Sequence, residues 1–222
     1  MGILNEYDRF KSQMNNYRLS TRIINDALKE CVNHNSREVN LAKSIHVKYN
    51  YIGILEIFKD YLLSVIIEIL DNHIYWDKVI SFCEKKKEKT ITLQMKDLFL
   101  SKDNKELIKK IILKEFKTRK PKIFIENLEN LLLIGIPKDL RENASFFWDV
   151  RNIFTHANGK VNDEWRQKYS YILLKNGIKL KEKSGISYFP TNFRNLSKAY
   201  KTFDEFCSFI NSKLKTPTKA GV

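Results

Sequence analysis

The sequence predicts an all-α protein, a helical bundle of long antiparallel helices with room for one small hairpin near residues 171–190. Three observations carry this. Helix breakers are scarce: the 222 residues hold seven Gly and four Pro, and three of the Pro follow position 136. Apolar residues recur at three- and four-residue spacings through most of the chain. Strand-like alternation is confined to the short segment Ile178-Lys179-Leu180.

The elements follow in order. From Asn5 to Asn33 the apolar residues Tyr7, Phe10, Met14, Tyr17 and Leu28 mark a long amphipathic helix. The polar break His34-Asn35-Ser36-Arg37 separates it from a second helix over Val39–His73. The dense apolar middle of that helix, from Ile52 to Ile67, predicts the most buried element of the fold. A short helix is expected over Trp76–Glu84, then a solvated connection at Lys85-Lys86-Lys87-Glu88-Lys89. Helices over Lys105–Glu115 and Phe124–Ile134 come next. Pro137, after Gly135, marks a turn or the first position of the following helix. That helix runs to about Ala157, where Asn158-Gly159 is a C-terminal stop. Around residues 171–190 the pattern turns irregular, with Asn176-Gly177 and Ser184-Gly185 as turn signals, so this region is a small hairpin or a loop. Helical period returns from Phe193 to Leu214 in a closing amphipathic helix. One domain over residues 1–215 is expected, with an N-terminal helix in 1–36, a core over 37–215 and a disordered tail at 216–222.

A hydrophobic share of 43% against 30% charged residues is that of a globular protein and argues against global disorder. The net charge of +14 makes an anionic partner plausible, although Lys outnumbers Arg and the surplus can be compositional. Cys31, Cys83 and Cys207 are odd in number and far apart, which fits reduced thiols rather than a disulfide framework. The run Tyr61–Leu70 is interrupted by Ser64 and Glu68 and is too short to span a bilayer. With a polar start and no signal-peptide core, the expectation is a cytoplasmic protein without a membrane partner.

The chemistry is concentrated in Phe146–Ala157. On a helix at about 100° per residue, Phe146, Phe147, Val150, Ile153, Phe154 and Ala157 form an apolar face. Trp148, Arg151, Asn152, Thr155 and His156 fall opposite, with Asp149 at the edge, and Asn152 and His156 share a stripe at a spacing of four. A Trp on a polar face suggests contact with a second helix of the chain or with a partner subunit. Taken singly, Arg151 can be a surface or salt-bridging residue, and His156 a C-terminal residue favoured by the helix dipole.

Arg151-Asn152-x3-His156 near the end of a late helix, followed by Ala157-Asn158-Gly159 and Val161, resembles the signature of the HEPN superfamily (higher eukaryotes and prokaryotes nucleotide-binding domains). Only these six residues are specific, although the resemblance extends over about Val39–Leu214. It implies a metal-independent endoribonuclease, of the kind found among toxins and antiviral effectors, with Arg151, Asn152 and His156 as catalytic residues. It also implies an isologous homodimer that brings two motif helices, and so two Arg and two His, into one composite cleft.

The residue types suit that chemistry. RNA is cut without a metal when its own 2′-hydroxyl attacks the adjacent phosphate, which needs a base, an acid for the leaving 5′-oxygen and positive charge on the phosphorane. An imidazole such as that of His156 exchanges protons near neutral pH. Arg151 offers a planar fork of donors that stays charged. Asn152 can orient His156 or the phosphate as a neutral hydrogen-bonding partner.

Other constellations carry less. His34, His46 and His73 lack ligand spacing with each other or with a cysteine, so no metal is expected, and His46 reads as a partly buried imidazole. Glu56, Asp60 and Ser64 at spacings of four read as solvated surface. There is no Gly-rich phosphate loop, nucleophile elbow or dinucleotide fingerprint, so no cofactor is expected. Tyr200, Phe203, Phe206 and Phe209 read as core, and Lys160, Arg166, Lys168 and Lys175 as surface charge without a role. Expected partners are RNA, a second copy of the chain, and an antitoxin or defence-system protein. The alternative is a non-catalytic helical module of the same fold that binds RNA or a partner protein.

Overall fold

The computed structural model describes residues 3–31, 36–85, 104–118 and 120–215. Its helices are α1 (Ile3–Glu30), α2 (Arg37–Asp71), α3 (Trp76–Lys85), α4 (Asn104–Glu115), α5 (Pro121–Leu132), α6 (Lys138–His156), α7 (Asp163–Lys168), α8 (Ser170–Lys175) and α9 (Phe193–Lys215). A small sheet of β1 (Lys160–Val161), β2 (Lys181–Lys183) and β3 (Ile186–Tyr188) completes the fold. The all-α expectation holds. The Lys85–Lys89 connection falls, apart from Lys85, outside the described residues, as does the 216–222 tail.

α2 is the axis of the bundle. Ser36 caps it by accepting the Val39 N–H at 3.2 Å, which replaces one of the bonds a helix start lacks. From Val47 to Leu70 twelve of its residues are buried along one broad face, which α1, α3, α6 and α9 cover. Tyr49, Asp60, Ile67 and Asp71 mark the opposite, exposed face.

Contacts along the seams fix the directions. Phe10 meets Tyr61, Tyr17 meets Gly53 and Thr21 meets Asn50, so α1 runs antiparallel to α2. Tyr51 meets Phe154, Glu56 meets Arg151 and Phe58 meets Trp148, so α6 is antiparallel to α2 as well. Gly53 sits at the tightest point of the first seam. A Cβ there would lie 2.5 Å from the far end of the Tyr17 ring, so a larger residue would have to displace that ring.

The core is aromatic. Phe58 of α2 stacks on Phe203 of α9 with centroids 4.4 Å apart and meets Phe206 edge-on at 5.3 Å. A second line of rings, Phe82, Phe116 and Phe124, carries α3, α4 and α5 onto the same core.

The 171–190 region is a hairpin rather than a loop, and its strands lie just beyond the alternating segment. Lys181–Lys183 pairs antiparallel with Ile186–Tyr188 across Ser184-Gly185, whose φ values of 52° and 74° are those of a tight hairpin turn. Lys160–Val161 adds a third strand on the other side of Ile186–Tyr188, in the order β1-β3-β2. α7 and α8, two short helices between β1 and β2, have no counterpart in the sequence expectations.

Candidate functional site

α6 places the motif. Pro137 is its N-cap, with a backbone shape that precedes the first turn. At the other end Ala157 N–H and Gly159 N–H both bond the Ile153 carbonyl, at 2.9 and 3.1 Å. Asn158 (φ 50°) and Gly159 (φ 89°) take left-handed backbone there, which turns the chain into β1. The Gly159 carbonyl then accepts the Phe189 N–H at 2.9 Å, so the last turn of α6 is tied to the sheet.

The apolar face is as expected: Phe146, Phe147, Val150, Ile153 and Phe154 are buried. Trp148 meets other helices of the same chain. It is 3% exposed and wedged between α2 and α5, with its ring centroid 6.3 Å from that of Phe58 and 5.2 Å from that of Phe124. Two flanks of α6 are covered, one by α2 and α9 and one by α5, so its buried arc is wider than a one-sided helical wheel allows. Of the two partners the sequence offered for Trp148, helices of the same chain take it.

A groove of about 500 Å³ runs along the remaining face, with Arg151, Asn152, Thr155 and His156 on one wall. Lys59 of α2 and Thr118 form the other wall, and Trp148 the floor. Arg151, Asn152 and His156 therefore line one depression. Lys59 Nζ lies 5.8 Å from the centre of the Trp148 ring, which places a second cation at the groove.

Arg151 anchors a polar chain across three parts of the fold. Its Nη2 donates to Glu56 Oε1 at 2.8 Å and its Nη1 to Asn152 Oδ1 at 3.4 Å, while its Nε–H is buried without a partner. Asn152 Nδ2 donates to Asp149 Oδ1 at 3.3 Å. Asp149 Oδ2 in turn accepts the Tyr169 hydroxyl and, at 2.9 Å, the Lys168 ammonium. Burial, and then the Asp149 carboxylate, push the Tyr169 phenol well above its ordinary range, so it stays a donor at all ordinary pH. Asn152 is thus held by Asp149 and Arg151, with no bond to His156. His156 is exposed and has no side-chain partner among the described residues.

Sequence reasoning missed five residues of this site, Tyr169 among them. Glu56, read as solvated surface, holds the guanidinium, and Lys59 was not singled out. Asp149 was placed only at the edge, and Lys168 was given no role. The available signal was Glu56 and Lys59 themselves, two of the three charges inside the apolar stretch Ile52–Ile67, where a charge tends to have a partner.

His46, expected to be partly buried, is so: burial lowers its pKa, and Asn50 and the Phe193 ring lie against it. Among the described residues no three His, Cys, Asp or Glu side chains are grouped so as to hold a metal ion. No described helix is long and apolar enough to cross a membrane. Compared with family models, curated proteins and solved structures, the chain matches none.

Proposed function

We propose that this chain is a metal-independent endoribonuclease of the HEPN type, acting in the cytoplasm as a toxin or antiviral effector. The observation that supports the reading is the shared groove: a free imidazole, a half-buried guanidinium and a lysine face one depression large enough for a phosphodiester. Arg151 has five N–H donors; Glu56 takes one, Asn152 another, and the buried Nε–H a third, so two remain for phosphate oxygens. Arg151 and Lys59 stabilise the charge that develops on the phosphorane. The 2′-oxygen attacks phosphorus as a base takes its proton, and the 5′-oxygen leaves with a proton from an acid, yielding a 2′,3′-cyclic phosphate and a 5′-hydroxyl. One chain supplies one exposed imidazole at the groove, so a homodimer that joins two grooves provides both the base and the acid.

The second reading is a non-catalytic module that binds RNA or a partner protein. The Arg151–Glu56 ion pair favours it, because that pair gives Arg151 a structural reason to be present. Cleavage of total RNA by the wild type and His156→Ala in excess EDTA, with analysis of product ends, separates the two. Activity that survives chelation, leaves cyclic phosphate and is lost in the variant supports the nuclease. No cleavage, or equal cleavage by both proteins, leaves the binding module.

A further inference from the structure

Along α1 the inward stripe changes character. Phe10 and Met14 are buried against the core, and the same three- and four-residue spacing continues at Arg18, Thr21, Arg22 and Asn25. An amphipathic helix packed on its neighbours carries apolar residues at such positions. Here the arrangement is inverted: Leu19 and Ile23 are 48% and 58% exposed, while the four polar side chains line a cavity of about 530 Å³ against α9. α9 contributes Phe193, Ser197, Tyr200 and Lys201, again one helical face. The volume lies within the roughly 300–1,000 Å³ of small-molecule sites.

Two of the lining hydroxyls are held from behind by a buried amide. Asn50 of α2, 5% exposed, accepts the Thr21 hydroxyl at 3.0 Å and the Tyr200 hydroxyl at 3.2 Å through the same Oδ1. Its Nδ2 bonds the His46 carbonyl at 2.9 Å. The walls are cationic. The Arg18 guanidinium lies 5.6 Å from the centre of the Tyr200 ring and 3.7 Å from Asp204, whose shorter bond, 2.6 Å, goes to Lys11. Lys201 is 3.6 Å from Glu205 on the exposed side of α9. Arg22 has no ion pair or hydrogen bond among the described residues. Two carboxylates thus answer four cations, and the surplus sits at a hollow lined by hydroxyl and amide groups. Guanidinium forks beside the Ser197 hydroxyl match phosphate oxygens, and the partly buried Phe193 ring at the same cavity offers a face for a base.

We propose that the cavity between α1 and α9 binds the phosphate of a nucleotide, supplied either as a free mononucleotide or as a unit of a single-stranded RNA. The site is separate from the α6 groove and does not depend on the nuclease reading. α2 connects the two, with Asn50 under the cavity and Lys59 at the groove, about 14 Å apart along the helix.

Titration calorimetry with inorganic phosphate, adenosine 5′-monophosphate and a 2′-O-methylated single-stranded oligoribonucleotide tests the proposal on wild type, Arg22→Glu, Ser197→Asp and His156→Ala. Arg22 and Ser197 are exposed, and neither variant removes a contact that the fold needs. Binding of the mononucleotide, weakened about tenfold or more by Arg22→Glu and by Ser197→Asp but unchanged in His156→Ala, assigns the site to a free nucleotide. The same pattern with the oligonucleotide alone assigns it to an RNA strand. Absence of binding by all three probes overturns the proposal. So does wild-type affinity in Arg22→Glu, or loss in His156→Ala equal to that in Arg22→Glu, which would place the ligand in the α6 groove.

Discussion

Replacing Trp148 by alanine distinguishes a core residue from an interface residue. The side chain is 3% exposed and packs on Phe124 and Phe58 beneath Lys59. Truncating a buried Trp costs about 3–5 kcal/mol, the lost transfer energy plus the cavity left behind. Here the floor of the groove would open to water, which relieves part of the cavity, so the lower end, about 3 kcal/mol, is expected. For a chain of this length that corresponds to a fall in Tm of about 6–12 °C. Urea unfolding followed by far-ultraviolet circular dichroism, at two protein concentrations tenfold apart, measures it. The loss should be the same at both concentrations. A loss below about 1 kcal/mol, or one that shrinks as the concentration rises, would show that Trp148 is covered by a second copy rather than by α2 and α5.

Arg151→Lys should lose most RNA cleavage, like Arg151→Ala, because an ammonium cannot replace the planar fork; recovery of more than half the rate in the lysine variant would contradict this. Glu56→Gln should alter stability by less than about 1 kcal/mol, since Glu56 is 43% exposed, while raising the affinity of a His156→Ala background for RNA severalfold at low salt. Unchanged affinity in a filter-binding assay would mean that Glu56 does not compete with phosphate for Arg151. His46 has a folded-state pKa below the ordinary 6.5, so the unfolded chain takes up the proton first as the pH falls. Its contribution to stability is therefore complete above about pH 6.5 and is lost as the pH drops from there to the lowered value. The Tm of His46→Gln should change less between pH 7.5 and 5.5 than that of the wild type; an equal change would remove His46 from the account.

Much of the helical framework was legible because long helices in a bundle write their period into the chain. α2 and α9 appear within a few residues of where the apolar spacing places them. The Asn158-Gly159 stop marked the end of α6, whereas Ser36, read only as part of a polar break, proves to be the cap of α2. What stayed hidden depends on tertiary neighbours. For Trp148 the wheel left a second helix and a partner subunit as alternatives, because it cannot show that α6 has covered flanks on two sides. α7 and α8 span six residues each, too short for a period to register, and β1 has two residues that are strands only because β3 lies beside them. In the candidate site, Arg151, Asn152 and His156 could be named from spacing alone. The partners of Arg151 and Asn152 come from α2 and from the region after α6, and no local pattern announces a contact across ninety-five residues such as Arg151–Glu56.

The junction between α6 and the sheet bears on how His156 is held. The final turn of a helix ordinarily opens first, and its amide protons exchange with solvent within the frayed ensemble. His156 is the last residue of α6, so fraying would set the imidazole adrift. The bonds from Ala157 and Gly159 to the Ile153 carbonyl, the Phe189 bond to Gly159 and the Lys48 bond to Asn158 at 2.8 Å close that route from three directions. In deuterium exchange the amides of Ala157, Gly159 and Phe189 should therefore behave as one protected set and open together. A hairpin that carries no groove residue thereby acts as a clasp on the helix end that bears His156. Damage to β3 would be felt as a loosened imidazole well before any helix melts.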